Sequence, residues 1–293
     1  MRPSHFTYVA PSSVAEVCAE LAGFGADARL IAGGQSLAPL LNMRLVRPRV
    51  LVDIGRAEEL RYVHRRKELL AVGAGTSQRE LERDPLLKSV PVLATVLKHI
   101  GSVPTRNRGT VGGSIAYADP VAELPLALVT LDGSVTARST RGTREIAGRE
   151  LFCGPFTTAL AQDELLTEVR FPVTGNHTAV QFEELTLRAY GDAAIVAVMA
   201  VVEMQNDRCE RVEIGLSGVA DRPLLVSQAA AEVLVGSAPT AALLDASAQA
   251  CTSGLNPPDD LRASGAYKRR VATTLVRRTL ERAFADLMKG KQL

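Results

Sequence analysis

The stretch Arg29-Leu30-Ile31-Ala32-Gly33-Gly34-Gln35-Ser36-Leu37-Ala38-Pro39-Leu40-Leu41 passes from an apolar run through two glycines into a helix start. Arg29 to Ala32 has the apolar, β-branched character of a short buried strand. Pro39 suits a first helical turn, where no N–H is needed. A strand that turns through Gly-Gly into a helix aims several backbone N–H groups at one spot. Such a donor-rich concavity can hold a phosphate or pyrophosphate. The same residues also read as a plain tight turn whose glycines only supply positive φ, since one glycine-rich turn is a weak motif.

A second segment shifts the balance. Arg106-Asn107-Arg108-Gly109-Thr110-Val111-Gly112-Gly113-Ser114 again ends in Gly-Gly-Ser beside an apolar segment. Two such loops can grip a dinucleotide's pyrophosphate from both sides.

Outward from these loops, Ser13 to Glu16 reads as a capping box opening an amphipathic helix through Leu21, which ends at Gly23 or Gly25. Val50 to Ile54 supplies another apolar strand, so residues 28–54 predict a parallel β-α-β unit. Leu60 to Val72 predicts a hairpin turning near Arg66-Lys67. Val72-Gly73-Ala74-Gly75-Thr76-Ser77 begins like a dinucleotide fingerprint but lacks its third glycine. Ser77 and Glu80 form a capping box, so the segment reads as strand, turn and a helix through Leu87. Pro91 to Ile100 predicts a helix closed by Gly101-Ser102. Leu124 to Val135 predicts an apolar segment with a hairpin at Asp132-Gly133, and Asp163 to Pro172 a strand. Thr174-Gly175-Asn176 is the expected domain boundary. Gln181 to Leu216 carries strand-like runs around a turn at Asn206-Asp207, and helices follow from Ser227. The last helix, Tyr267 to Met288, sets Val271, Leu275, Leu280 and Phe284 against Arg269, Arg270, Arg277 and Arg278. That basic face is either solvated or a docking surface.

A length of 293 residues favours two domains. A formal charge of +2 and the absence of Trp give no electrostatic footprint or stacking platform for nucleic acid. The N-terminus has no apolar core of a secretory signal, and the apolar run from Ala193 to Val202 is far short of the roughly 20 residues of a membrane span. Cys18, Cys153, Cys209 and Cys251 lie too far apart in sequence for the close spacing of a zinc or iron–sulfur site. They read as reduced thiols in a cytoplasmic protein.

No nucleophile triad emerges, and no catalytic or metal-ligating residue is assigned. His5, His64, His99 and His177 are scattered, and His99, on an apolar helix, reads as a hydrogen-bonded structural residue. Asp119 and Glu123 have no evident partner for paired-carboxylate chemistry. A ligand cradle with little acid–base machinery fits a flavoprotein whose cofactor carries the chemistry.

Ala32 to Leu37 with Pro48 to Ile54, and Arg106-Asn107-x-Gly109-Thr110-Val111-Gly112-Gly113-Ser114, strongly resemble the FAD-binding medium subunit of molybdenum hydroxylases, the carbon monoxide dehydrogenase and xanthine dehydrogenase family. Ala118-Asp119-Pro120, Glu123-Leu124-Pro125, Leu165 to Pro172, and Phe182-Glu183-Glu184 to Arg188 with Gly191-Asp192 resemble its later blocks. The resemblance implies an α+β chain: a vanillyl-alcohol-oxidase-type (PCMH) FAD-binding domain over 1–174, in subdomains of about 1–55 and 56–174. A smaller α+β C-terminal domain of the CO dehydrogenase flavoprotein type follows over 175–293.

By position, the resemblance implies that Ile31, Ala32, Gly33, Gly34, Gln35, Ser36 and Leu37 bind the pyrophosphate. Thr110, Gly113 and Ser114 hold the cofactor's other side, with Ile100 packing nearby. Glu123 stands where relatives place a carboxylate for ribityl or ribose hydroxyls, and Leu166 and Glu184 approach the isoalloxazine. Many relatives carry an aromatic residue just after the Gly-Asp pair, where this chain has Ala193, with Tyr190 near enough in sequence to compensate. Neither glycine loop contains His or Cys, so the resemblance implies non-covalent FAD.

It further implies partners: a small subunit with two [2Fe–2S] clusters and a large molybdopterin subunit, assembled as a dimer of heterotrimers. Electrons would pass from the clusters to FAD and on to an external acceptor. A stand-alone flavin-dependent oxidase or dehydrogenase and a non-catalytic nucleotide-binding assembly module remain the alternatives at this stage.

Overall fold

The computed structural model of the chain describes residues 2–188 and 191–289. It is a mixed α+β structure that divides into two compact units. The first comprises Met1–Lys88, Ser102–Ala118 and Gly133–Phe171, and the second Ser89–Gly101, Asp119–Asp132 and Pro172–Leu293. Two stretches upstream of Thr174 belong with the C-terminal residues.

The first unit starts with a three-stranded parallel sheet in which Val50–Asp53 lies between Thr7–Val9 and Ala28–Ile31. Leu37–Asn42 forms the helix between the last two strands, completing the expected β-α-β unit. Val14, Val17, Cys18 and Leu21, spaced three and four apart, bury one face of the Val14–Phe24 helix against this sheet. The helix stops at Gly25, whose φ of +52° suits glycine. Its N-terminus departs from the expected reciprocal capping box. Ser13 Oγ accepts from Glu16 N, but the Glu16 carboxylate accepts from Ser12 N at 2.7 Å and Ser12 Oγ at 3.0 Å. Ser12 offers that carboxylate two donors where Ser13 offers one.

A five-stranded sheet follows, in the order Val63–Arg66, Leu69–Gly73, Leu165–Pro172, Ser134–Ser139, Gly142–Ala147. The first pair is the expected hairpin, turning at Lys67 with φ of +55°. The Ser77–Glu80 capping box is complete in both directions. Its helix runs only Gln78–Arg83, not through Leu87, because Pro85 holds Asp84 in extended backbone.

Expectation and structure part at residues 123–135. Glu123–Thr130 is a helix, and Asp132, with φ of +58°, turns it into the Ser134–Ser139 strand. The hairpin lies further on, between that strand and Gly142–Ala147. All eight residues of the Glu123–Thr130 helix are buried, so the sequence shows no amphipathic period there.

In the second unit, Thr178–Leu185, Val196–Gln205, Arg208–Ser217 and Leu224–Leu225 form an antiparallel sheet, with the expected hairpin at Asn206-Asp207. Val196–Gln205 is buried on both faces. Val196, Val198, Ala200 and Val202 join a core with the helices Ser227–Leu234, Ala241–Ser253 and Gly265–Lys289. The Glu123–Thr130 helix packs against the same sheet. It comes close at Gly215, where a Cβ would lie 1.9 Å from Thr130 Oγ1 and 2.9 Å from Leu126 Cδ1. Leu275, Leu280 and Phe284 of the long terminal helix are buried and Val271 is half-buried. Its arginines are engaged within the unit: Arg278 and Arg282 both pair with Glu183, and Arg277 pairs with Asp245 and Glu281.

Candidate functional site

In the first unit the two glycine loops meet. Ala32 to Ser36 leaves the Ala28–Ile31 strand, bends at Gly34 with φ of +73°, and enters the Leu37–Asn42 helix through a bond from Ala38 N to Gly34 O. The second loop differs from the first in kind. It joins two short helices, Val103–Arg108 and Val111–Tyr117, instead of a strand and a helix. Thr110 caps the latter helix, its Oγ1 accepting from Gly113 N at 2.9 Å. Bonds from Gln78 N to Gly109 O, Val111 N to Thr76 O and Gly112 N to Ala74 O lay this loop along residues 74–78.

Close contacts explain the glycines. A Cβ on Gly33 would fall 1.9 Å from the Arg108 carbonyl oxygen, and one on Gly112 would fall 2.4 Å from the Ala74 Cβ. A Cβ on Gly113 would meet Thr110 Oγ1 at 2.7 Å and Ala32 Cβ at 3.8 Å. Gly73 is packed in the same way against the Leu60 carbonyl, so its partial fingerprint serves packing. Thus Ile31 to Leu37 are brought together with Thr110, Gly113 and Ser114.

The arrangement fits a phosphate-bearing cofactor. Among the described residues, the backbone N–H groups of Gly33, Gly34, Gln35 and Ser36 donate to no protein acceptor, while Gln35 and Ser36 are exposed. Unused donors converging at a helix N-terminus are the donor set that a pyrophosphate takes. Leu166 stands on the Leu165–Pro172 strand with its side chain buried at 4% exposure, and the adjacent Thr167 carbonyl accepts from Ala74 N.

In the second unit, Ile100, Glu123 and Glu184 belong to neighbouring elements. Ile100 caps the Val92–His99 helix and is buried. Pleating sends consecutive side chains of Thr178–Leu185 to opposite faces. Glu183 meets the terminal arginines, and Glu184 meets His99, Nδ1 to Oε1 at 2.9 Å. Phe182 stacks edge-on against the His99 ring. His99 is therefore hydrogen-bonded, as expected, although its partner lies 85 residues away in sequence. Among the described residues, Glu184 Oε2 is buried with no hydrogen-bond partner.

Glu123 begins its helix and is 7% exposed. Burial, then the charge of Glu184, then that of Asp119 push its carboxyl up to about 8. Asp119 is raised too, mainly by burial. Glu184 and Asp119 thus both add their charge to the upward push on Glu123. Nothing local could have signalled it, because the strand pairing and helix packing that create it are non-local.

Asp192 Oδ1 accepts from Ala193 N and from Arg262 Nη2, both at 3.0 Å, and Arg262 also donates to the Ala193 carbonyl. The sequence reading missed this arginine clamp. Tyr190 lies outside the described residues. Cys18, Cys209 and Cys251 are buried, Cys153 is exposed, and none of the four is in a disulfide. Burial pushes the Cys209 and Cys251 thiols up to about 11, away from the thiolate form that binds iron or zinc.

Residues 4–174 match the family described as the FAD binding domain in molybdopterin dehydrogenase, and residues 181–283 match the CO dehydrogenase flavoprotein C-terminal domain. The chain is 36% identical over 285 residues to 6-hydroxypseudooxynicotine dehydrogenase complex subunit alpha of Paenarthrobacter nicotinovorans, covering 97% of this chain and 96% of that one. It is 32% identical over 286 residues to the carbon monoxide dehydrogenase medium chain of Hydrogenophaga pseudoflava, covering 97% and 99%. Among solved structures, quinoline 2-oxidoreductase from Pseudomonas putida 86 superposes with a TM-score of 0.94 at 35% identity, over 98% of this chain and all of that one.

Proposed function

Because the chain belongs to the FAD-binding medium subunits of molybdenum hydroxylases, we propose that it carries electrons inside a complex and activates no substrate itself. It takes them from [2Fe–2S] clusters of a small subunit, which receive them from a molybdopterin large subunit. It passes them to an external acceptor. The observation that carries this reading is the pair of interlocked glycine loops with unused backbone donors. The family makes FAD the cofactor, and FAD supplies the exchange of electrons between one-electron and two-electron partners.

This chain's own residues do the holding. The N–H groups of residues 33–36 take the pyrophosphate, Thr110 and Ser114 offer hydroxyls, and Gly33 lets the loops close on each other. Glu123 and Glu184 are the carboxylates we assign to the cofactor's hydroxyls and ring region. With no His or Cys in either glycine loop, binding is non-covalent. Among the described residues no cluster of three or more His, Cys, Asp or Glu could hold a metal, and no helix is long and apolar enough to cross a membrane. By family, we assign iron and molybdenum to partner subunits, in an assembly we take to be a cytoplasmic dimer of heterotrimers. Medium chains similar to this one are named for dehydrogenases of carbon monoxide and glyceraldehyde. Substrate choice is accordingly assigned to the large subunit.

Production of this chain by itself tests the reading. It should take up one FAD per chain, release all of it on acid precipitation, and bind no iron. Flavin that stays attached after denaturation, or iron bound to the isolated chain, would contradict it.

A further inference from the structure

The N–H groups of residues 33–36 are dipoles, whereas a pyrophosphate brings full negative charges. Taking such charges out of water is costly unless a cation meets them. The sequence keeps acids away from both glycine loops. No Asp or Glu lies between Asp27 and Asp53, nor between Asp84 and Asp119. Three of the flanking carboxylates, all in the first unit, are engaged. Asp27 pairs with Arg49, Asp53 accepts from Gly55 N and the Tyr8 hydroxyl, and Asp84 accepts from Leu86 N.

The loops carry few cations of their own. Ile31 to Leu37 has none, and the second loop has Arg106 and Arg108. Arg106 is buried, and its Nε donates to Glu82 Oε2 at 3.1 Å, a carboxylate that Arg79 shares at 2.8 Å. Arg29, on the strand leading into the first loop, donates to the Ala28 carbonyl. Arg108 differs from both. It is exposed, and among the described residues its guanidinium donates no hydrogen bond and meets no carboxylate. Its main chain is also where the loops touch: the Arg108 carbonyl lies 1.9 Å from where a Cβ on Gly33 would sit. The Arg108 side chain therefore starts beside the first of the four unused N–H groups.

A guanidinium presents two parallel N–H donors that match the oxygens of a phosphate. We propose that Arg108 is the counter-ion of the cofactor's pyrophosphate, supplying the full positive charge that the backbone donors lack. The inference rests on the proposed function for the identity of the anion. Arg108 also ends the Val103–Arg108 helix, where a cation has a purely structural use beside the last carbonyls. Salt dependence of cofactor binding separates the two roles.

FAD titrations of the full chain, freed of flavin, test the assignment. Wild-type binding should weaken as salt rises. At low ionic strength Arg108→Ala should bind FAD about tenfold more weakly, the scale of one charged hydrogen bond. That gap should close at about 1 M salt, where the screening length is about 3 Å. Arg108→Lys should recover most of the affinity, and Arg108→Glu should bind more weakly than Arg108→Ala. Arg47→Ala removes an equal charge from the same unit, beyond the far end of the Leu37–Asn42 helix, and should bind as the wild type does. Wild-type affinity in Arg108→Ala, a loss that salt leaves unchanged, or an equal loss in Arg47→Ala would overturn the counter-ion. If Arg108→Ala does not fold, Arg108→Gln, which lacks the charge and keeps polar bulk, decides in its place. A wild type that takes up no FAD would contradict the proposed function, and this inference with it; a wild type that binds while Arg108→Ala matches it would contradict this inference alone.

Discussion

Gly33 carries more of the account than any other residue. Its missing Cβ is directed at the Arg108 carbonyl, 1.9 Å from where the atom would sit, so it sets the closeness of the two loops. Gly33→Ala should push them apart, cost about 1–3 kcal/mol as overpacking against backbone does, and lose most of the bound flavin. Stoichiometric FAD in a folded Gly33→Ala chain would remove the loops from the site. Glu123 gives a prediction of different sign. Its folded-state value of about 8 exceeds the ordinary 4.5, so the folded chain holds the proton more tightly than the unfolded one does. The stability this brings is fully present below about pH 4.5 and is lost as pH rises through 8. Urea unfolding should therefore show the wild type losing about 3 kcal/mol more than Glu123→Gln between about pH 5 and pH 8. Parallel pH dependence in the two proteins would refute it.

Among the elements, the Glu123–Thr130 helix shows why packing cannot always be read from pattern. Every residue in it is buried, which erases the period that marks an amphipathic helix and leaves an apolar run open to a strand reading. What settles it is the close approach at Gly215, a strand glycine over which Thr130 and Leu126 are seated. Gly215→Ala should destabilise the chain by about 1–3 kcal/mol. Thr130→Ala in the same chain should return part of that loss by removing the hydroxyl 1.9 Å from the new methyl. Thermal unfolding of the two singles and the double measures the coupling, and simple additivity would show that the contact is not the cause. By contrast, the strand–turn–helix of residues 28–42 and the Ser77 capping box were legible, because glycine, proline and serine act there through local backbone chemistry. The Ser13 box was legible only in part, since the sequence did not say that Ser12 would offer the better pair of donors.

Across the whole molecule, the two halves of the candidate site were unequally readable. Ile31 to Leu37, Thr110, Gly113 and Ser114 sit in motifs whose spacing carries the chemistry, and the structure interlocks them within one unit. Glu184, His99 and Arg262 interact with groups 61 to 85 residues distant, and no local pattern announces such pairs. Residues 89–101 and 119–132 belong to the same compact unit as the C-terminal residues, a grouping that rests on contacts distant in sequence. The chain matches 96% of the length of 6-hydroxypseudooxynicotine dehydrogenase complex subunit alpha and 99% of a carbon monoxide dehydrogenase medium chain, and the proposed function assigns iron and molybdenum to other polypeptides. Gentle purification of the tagged chain from its native host, with assays for flavin, iron and molybdenum in the eluate, tests this directly. The account predicts all three, with two further polypeptides accompanying the chain. Flavin alone with turnover of an organic substrate, or no flavin at all, would contradict it.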